Sequence, residues 1–496
     1  MEDLIKQANE YIAENKAKVN EEFRLNYHLM PPIGWMNDPN GFSLYKDQYH
    51  LFYQHYPYDS KWNDMHWGHG VTDDFVIWEN VQVALAPDMV YDHKGCFSGT
   101  ALVEDDVLTL MYTCVNGKKG EIQEQAIAFS LDGTHFTKYN ENPVVPSAKL
   151  PEGIYRGDFR DPKIFKDKDL YYCIAVAKDK DHGGRVLLFS SKDKKEWEYV
   201  RDILPVELDL GTMYECPDFF QLENKDILFL SIIELKREDY RFVNKQSPVY
   251  LVGRFIGDEE LQIDSIEEID MGFDFYAHQT VLTKDGRRVM AAWMQAWEES
   301  IPTHELGHGW AGAMILPREL ELKGNVLYQK PVREIENYRS NEISYEDMVL
   351  TEDMGCISYD HIHGKSIELY VEADVSSAGE FNIHLMKSEG EECLLTYECE
   401  SQTICFSREG CGYEIKLNNF NKEPYRRFDL PLQENILKAR IFIDTCSVEI
   451  FLQEGERTIT SMVYPIKKDY GAAFSSKGKV RINHIKKWDL LKGIYG

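Results

Sequence analysis

The spacing of hydrophobic and polar positions changes along the chain and divides it into three segments. Residues 1–24 contain few turn formers and carry Leu4, Ala8 and Ile12 four residues apart, which predicts a short N-terminal helix. From residue 25 to about residue 340, short apolar or alternating runs are separated by clusters of Asp, Gly, Lys and Asn, as expected of strands and turns. Strand-like runs continue over residues 341–496, but they do not share the internal repeat of residues 25–340. This change predicts a separate C-terminal β-sandwich. The fold class predicted from these patterns is all-β.

A weak internal repeat runs through residues 25–340. In each copy a polar segment leads into an apolar strand, an acidic turn and a second strand. The copies start 54 to 63 residues apart, at Asp38, Ser98, Asp161, Glu215 and His278. A propeller blade of four strands takes about 40–50 residues in common families, so a longer repeat with loops fits one blade per copy. Five copies therefore predict a five-bladed β-propeller.

Three of the five repeat starts are carboxylates, namely Asp38, Asp161 and Glu215. Equivalent starts of the innermost strands of a propeller converge on one end of its central channel. These acids are therefore expected to face one pocket, although they are far apart in sequence. Packing alone does not explain why a repeat would place acids at the same structural position.

The charge balance narrows the range of partners. The chain has 84 acidic and 55 basic residues and a formal net charge of −29. Such a field repels phosphate backbones and anionic membrane surfaces, which excludes nucleic acid and a membrane as expected partners but says little about a neutral ligand. The N-terminus does not show a basic segment followed by an apolar run, and the ten cysteines form no Cys-x-x-Cys pair. We therefore expect reduced thiols and a cytoplasmic location, and the oligomeric state stays open.

Each of the three acids also has a structural interpretation. Asp38 lies in the segment WMNDPNG, which is a strong turn signal, and Asp161 follows Arg160, so a surface ion pair would account for it. Glu215 is flanked by Tyr214 and Cys216, surroundings that raise the pKa of a carboxyl group if it is buried. Together, however, they supply what glycoside cleavage needs: one ionised carboxylate, one protonated carboxyl and a third group that favours positive charge on the sugar ring.

The segments WMNDPNG, RDP and YECPD resemble the three signature segments of glycoside hydrolase family 32, which includes invertases, fructanases and sucrose-6-phosphate hydrolases. Further similarity extends in order from His28 through FYQ, WGH, FSGT and LPREL to the C-terminal FID and VEIF. It covers nearly the whole chain. The family's fold, a five-bladed propeller followed by a β-sandwich, agrees with the repeat.

The resemblance implies roles for individual residues. Asp38 would be the nucleophile, Asp161 the transition-state stabiliser and Glu215 the acid/base. The residues expected to contact substrate or line its pocket are Asn37, Gln54, Trp62, Phe97, Ser98, Arg160 and Trp293. For Trp293 a position in the core of its strand remains an alternative. No metal and no organic cofactor is implied.

The implied reaction is hydrolysis of the terminal β-fructofuranosyl bond of sucrose or short fructo-oligosaccharides, with retention of configuration. A sucrose-6-phosphate hydrolase is the nearest alternative, and the sequence contains no recognisable phosphate-binding loop. A fructosyltransferase and a non-catalytic carbohydrate-binding propeller are more distant alternatives. The intact set of three acids argues against the last, because binding alone needs no nucleophile.

Overall fold

The computed structural model describes residues 3–256, 261–297, 299–416 and 423–490. The chain begins with helix α1 (Leu4–Asn15), as the N-terminal pattern predicts, and a 3₁₀ turn continues it over Lys16–Lys18. The Asp3 side chain caps α1 by accepting a hydrogen bond from the Lys6 backbone N–H at 3.0 Å. Within the described ranges, no helix is long and apolar enough to cross a membrane.

The next part of the chain is a five-bladed β-propeller, which confirms the predicted fold class. Each blade contains four antiparallel strands that follow one another along the chain from the inside outwards, and blade one gains a fifth strand described below. Blades one to three contain β1 (Gly34–Tyr45), β2 (Gln48–Tyr56), β3 (His66–Thr72), β4 (Glu79–Asn80), β5 (Gly95–Glu104), β6 (Val107–Asn116), β7 (Ile122–Ser130), β8 (Thr137–Lys138), β9 (Ile154–Asp167), β10 (Leu170–Asp179), β11 (Gly183–Ser191) and β12 (Trp197–Asp202). Blade four contains β13 (Met213–Leu222), β14 (Lys225–Ile233), β15 (Gln246–Arg254) and β16 (Gln262–Glu268).

Blade five is interrupted by a loop that closes the ring. Its strands are β17 (Tyr276–Leu282), β18 (Arg288–Trp293), β20 (Arg318–Lys323) and β21 (Val326–Pro331), and the loop carries helix α2 (Pro302–Glu305) and strand β19 (Trp310–Ala311). Strand β19 leaves blade five and pairs in parallel with β1 of blade one, at Gly34 and Trp35. Residues more than 270 positions apart in sequence therefore complete the first blade.

The middle strands of the blades are apolar on both faces because each blade packs between two others. In β10, Ile174 and Val176 belong to a core cluster shared with blade four, whereas Cys173 and Ala175 belong to one shared with blade two. Side chains of a strand alternate between its two faces, so a strand covered on both sides requires a continuous apolar run. This is why the sequence shows such runs.

Every innermost strand contains a bulge with one extra residue relative to its neighbour close to the repeat start, and β1 and β9 each contain a further irregularity. Such a bulge re-aims side chains locally. In blades three to five the bulge includes a residue with a positive φ angle, namely Asp161, Cys216 or Ala277. The structure thereby corrects the repeat alignment by one residue in blades one, four and five. Asn37, Cys216 and Ala277 are the equivalents of Asp161, and Glu215 is equivalent to Arg160.

The C-terminal domain follows a 3₁₀ turn (Arg333–Tyr338), and its described residues form ten strands. They are β22 (Arg339–Leu350), β23 (Ile357–His363), β24 (Ile367–Ser388), β25 (Glu391–Glu398), β26 (Thr403–Ser407), β27 (Tyr425–Asp429), β28 (Ile436–Asp444), β29 (Ser447–Leu452), β30 (Arg457–Met462) and β31 (Gly471–Leu490). The first half of β24 pairs with β28 and its second half with β25, while β31 pairs with β24 along both halves. These two long strands pass from one layer to the other, and apolar side chains of both layers form one core cluster.

A fully buried polar cluster joins the propeller to the C-terminal domain. His28, just before β1, contacts Asp444 through Nδ1 at 2.9 Å and Glu449 through Nε2 at 3.0 Å. Arg318 of blade five donates to Glu449 at 2.9 Å and to Asp270 at 2.9 Å. We call these five residues the interdomain cluster. It fixes the segment that leads into β1.

Candidate active site

A pocket of about 360 Å³ opens where the innermost strands of blades one to four begin. This volume lies at the lower end of the roughly 300–1,000 Å³ typical of small-molecule sites. Nine of the ten residues singled out from the sequence line it, together with three others. The lining consists of Asn37, Asp38, Gln54, Trp62, Phe97, Ser98, Gln123, Asp158, Arg160, Asp161, Glu215 and Trp297.

Asp38 is oriented by two neighbouring donors. The Ser98 hydroxyl donates to its Oδ2 at 2.6 Å, and Asn37 Nδ2 donates to its Oδ1 at 3.0 Å. Asn37 is in turn fixed by the Trp35 indole N–H, which donates to its side-chain oxygen at 2.6 Å. Burial raises the pKa of Asp38, the hydrogen bonds from Ser98 and Asn37 oppose that rise, and the charge of Glu215 adds to it. A carboxylate held at both oxygens is aimed in one direction.

Asp161 is the most enclosed of the three acids. The backbone N–H of Cys216 donates to its Oδ2 at 2.9 Å, and the Asp161 backbone N–H donates to Thr113 Oγ1 at 2.9 Å. Its positive φ angle belongs to the bulge of β9. Burial raises the pKa of Asp161 to about 7, since the opposing charge of Arg160 is countered by the charges of Glu215 and Asp38.

Glu215 is held from both sides by residues in register with it. Arg160 donates to Glu215 Oε1 through Nη2 at 2.8 Å and through Nε at 3.2 Å. The hydroxyl of Tyr276 donates a short hydrogen bond to Oε2. Arg160 also reaches Gln123 Oε1 at 3.3 Å and Asp158 Oδ1 at 3.2 Å, so its donors are shared among several acceptors.

Aromatic side chains form the rim of the pocket. Trp62 is 46% exposed, and its ring meets that of Phe97 edge to face with centroids 5.7 Å apart. Trp297 lies on another part of the wall and stacks on Trp35 with centroids 5.8 Å apart. Gln54 lies below them, where its side-chain N–H₂ donates to the backbone carbonyl of Cys96 at 3.0 Å.

The structure corrects the expectation that Trp293 lines the pocket. The Trp293 side chain is fully buried, and its ring packs against Trp35 and Trp297 with centroids 5.9 and 5.0 Å away. Among the described lining residues Trp297 takes that place, four positions further along the chain. Trp293 ends strand β18 and points into the core, whereas Trp297 lies in the following loop and can reach the pocket.

Sequence reasoning did not single out Tyr276, Gln123, Asp158 or Trp297. The register of the bulges makes Tyr276 equivalent to Arg160 and Glu215, but this register is visible only in the structure. Gln123 lies on strand β7, away from the repeat starts, and no pattern in the sequence indicates that it reaches the pocket.

A propeller whose axial pocket gathers three acids beneath an aromatic rim defines the class of propeller glycoside hydrolases. The comparisons with known proteins identify the family. The model of the glycosyl hydrolases family 32 N-terminal domain matches residues 28–331, and that of the family 32 C-terminal domain matches residues 334–489. The chain therefore belongs to glycoside hydrolase family 32.

Individual relatives span nearly the same length as this chain. It is 35% identical to a sucrose-6-phosphate hydrolase of Zymomonas mobilis, over 98% of this chain and 96% of that protein. It is 34% identical to a raffinose invertase of Escherichia coli, over 88% and 89% of the two chains. A solved structure of a Bombyx mori family 32 β-fructofuranosidase mutant in complex with sucrose matches with a TM-score of 0.85 and 33% identity, over 99% of both chains.

Proposed function

We propose that this protein is a retaining β-fructofuranosidase that hydrolyses the terminal fructosyl bond of sucrose and short fructo-oligosaccharides. The observation that carries the proposal is the meeting of Asp38, Asp161 and Glu215 in one pocket small enough for a short sugar. The names of the Escherichia coli and Bombyx mori relatives support the same substrate class.

The proposed reaction has two steps. Asp38 attacks C2 of the fructosyl unit while the Glu215 carboxyl protonates the departing glycosidic oxygen, and the glucosyl part leaves as an alcohol. A water molecule then gives its proton to Glu215 and attacks C2, which releases fructose and restores the Asp38 carboxylate. Asp161 contacts the fructosyl unit and favours the positive charge that develops on the ring.

The contacts of each acid suit these roles. Ser98 and Asn37 hold both oxygens of Asp38 in one orientation, which a nucleophile requires. Glu215 has hydrogen-bond partners at each oxygen, and these fix its position for proton transfer in both steps.

The charges of the pocket favour a neutral sugar over a sugar phosphate. Four carboxylates line the pocket, and Arg160 is the one cation among its described lining residues. That guanidinium already contacts Glu215, Asp158 and Gln123. A phosphate dianion would therefore meet net negative charge without an available cation in this lining. We infer that sucrose is preferred over sucrose 6-phosphate.

The decisive experiment is the activity of the purified protein on sucrose, sucrose 6-phosphate, inulin and levan. We expect the highest kcat/KM on sucrose, with glucose and fructose released in equal amounts, and no turnover by Asp38→Asn. A higher kcat/KM on sucrose 6-phosphate would overturn the charge argument and assign the function named for the Zymomonas relative. Excess glucose over fructose would instead indicate fructosyl transfer.

The state of the cysteines supports a reducing compartment. All ten are free thiols, and seven of them lie buried with no partner sulfur bonded to them. We therefore propose that the reaction takes place in the cytoplasm. Cell fractionation followed by a sucrose hydrolysis assay tests this location.

A further inference from the structure

Arg408 belongs to the C-terminal domain but contacts two acids of the propeller. Its Nη2 donates to Glu299 Oε2 at 2.8 Å, and its Nη1 donates a short hydrogen bond to Asp274 Oδ2. The exposed fractions of the three side chains are 7% for Arg408, 2% for Glu299 and 0% for Asp274. Buried hydrogen bonds between charged groups are strong and directional, so this bridge holds its partners in a defined geometry.

Each of the two acids stands two residues away from a residue of the active site. Glu299 follows Trp297, which lines the pocket. Asp274 precedes Tyr276, whose hydroxyl donates to Glu215. A single guanidinium thus connects the C-terminal domain to the pocket wall and to the partner of the proposed acid/base.

A second contact fastens the same loop. The Ser300 backbone N–H donates to the Lys416 carbonyl at 3.0 Å, and the Lys416 backbone N–H donates to the Ser300 hydroxyl at 2.8 Å. The loop after β18 is therefore docked on the C-terminal domain on the C-terminal side of Trp297. Without this docking, an aromatic side chain in a loop would have to lose its conformational freedom when the sugar binds.

We propose that Arg408 is a positioning residue of the active site, which orients Trp297 through Glu299 and strand β17 through Asp274. The C-terminal domain thereby takes part in substrate binding without touching the substrate. A ring that contacts the sugar equally in the ground state and in the transition state changes KM more than kcat. The arm through Asp274 reaches Tyr276 and Glu215, so its loss affects kcat as well.

This inference rests on the proposed function, because it is tested through hydrolysis of the best substrate in the panel described above. If that substrate is not sucrose, the proposed specificity fails while the positioning test still gives a result. The variants are Glu299→Gln, Trp297→Ala and the double variant. We expect Glu299→Gln to raise KM about three- to tenfold and to change kcat less than about twofold.

The double variant separates positioning from general damage. If Glu299 acts through the indole ring, Glu299→Gln has no further effect on KM once Trp297 is replaced by Ala. An unchanged KM in Glu299→Gln, or the same fold-increase in the Trp297→Ala background, would overturn the proposal.

Arg408→Lys tests both arms together, because Arg408 bonds to Glu299 and to Asp274. It keeps the positive charge but loses the planar fork that reaches two acids at once, so we expect KM to rise and kcat to fall. If Arg408→Lys does not fold, the Glu299→Gln and Trp297→Ala set decides alone.

Arg426 offers a matched control in the same domain. Arg408 and Arg426 both lie over the ring of Phe273, at 4.1 and 3.9 Å from its centroid. Arg426, however, bonds to Asn244 of blade four at 2.6 Å and not to a segment that reaches the pocket. Arg426→Gln should leave KM and kcat unchanged, and an effect equal to that of Arg408→Lys would overturn the proposal.

Discussion

Two groups of three acids, the proposed catalytic acids of the pocket and the acids of the interdomain cluster, differ mainly in their partners. The pocket holds Asp38, Asp161 and Glu215 with Arg160, whereas the interdomain cluster pairs its three acids with two cations. Burial raises the pKa of Asp161 to about 7.

Glu449 of the interdomain cluster is as deeply buried, yet its pKa is lowered. Burial alone would raise it, but the hydrogen bond with His28 and the charge of Arg318 more than offset that effect. Glu449, which is paired with two cations, is held ionised and joins the two domains. The pocket acids share one guanidinium and face a cavity, where they remain available for chemistry.

The largest expected effect concerns the pocket. Asp38→Asn should lower kcat on sucrose by about 10⁴-fold or more, because the proposed nucleophile is lost. The melting temperature should stay the same or rise, since burial disfavours the ionised form of Asp38 in the folded protein. Initial rates measure kcat, and calorimetry measures the melting temperature. A variant with more than about a hundredth of wild-type kcat would contradict the assignment.

Glu215→Gln should have a smaller effect that depends on the leaving group. We expect kcat on sucrose to fall about 10²- to 10⁴-fold, because the amide cannot protonate the departing oxygen. The leaving group of an aryl fructoside with an acidic phenol departs without a proton. Glu215→Gln should therefore slow the first step of that reaction only slightly. Equal losses on the two substrates would show that Glu215 does not act as the acid.

The interdomain cluster should respond in the opposite way. Glu449→Gln should lower the free energy of unfolding by about 3 kcal/mol, because His28 and Arg318 lose a buried partner. The kcat of the folded fraction should stay unchanged. Urea denaturation measures the loss, and Glu454→Gln, which removes an exposed pair with Lys438, should cost less than about 0.5 kcal/mol.

The pH dependence of stability is the subtlest test of the comparison. Burial disfavours a charged His28, but its hydrogen bonds with Asp444 and Glu449 raise the pKa of His28 to about 9. A raised pKa contributes stability that is complete below the unfolded value of about 6.5 and is lost as the pH rises through about 9. The contribution is about 3 kcal/mol. Denaturation between pH 6 and pH 10 should show this decline, and His28→Gln should remove it.

Much of this arrangement could be predicted from the sequence because repetition leaves a pattern. The acids at repeat starts indicated five blades and one shared pocket, and nine of the ten selected residues line it. Register within a bulge leaves no such pattern, so Glu215 was aligned one residue away from its structural equivalent, Arg160. The sequence pointed to Trp293 as a pocket residue, whereas Trp297 lines the pocket, and the cause is similar. The position at which β18 ends decides which of the two indole rings faces the pocket.

Contacts between the two domains could not be predicted from the sequence, for a different reason. His28 and Glu449 are more than 400 positions apart, and neither lies in a repeat that would bring them together. Arg408 is likewise an ordinary arginine in a strand-rich segment until its partners Glu299 and Asp274 are known.

The closure of the propeller by β19 has a consequence for the order of events during synthesis. Asp38 is translated long before Trp310 and Ala311, and until these two residues have emerged its strand β1 can pair only with β2. The segment that precedes β1 also contacts Asp444 and Glu449, which are translated later still. Nascent chains normally gain structure from their N-terminus onwards. Here β1 is completed late, so a ribosome-bound chain that stops before Asp444 should be inactive even though all three pocket acids are present.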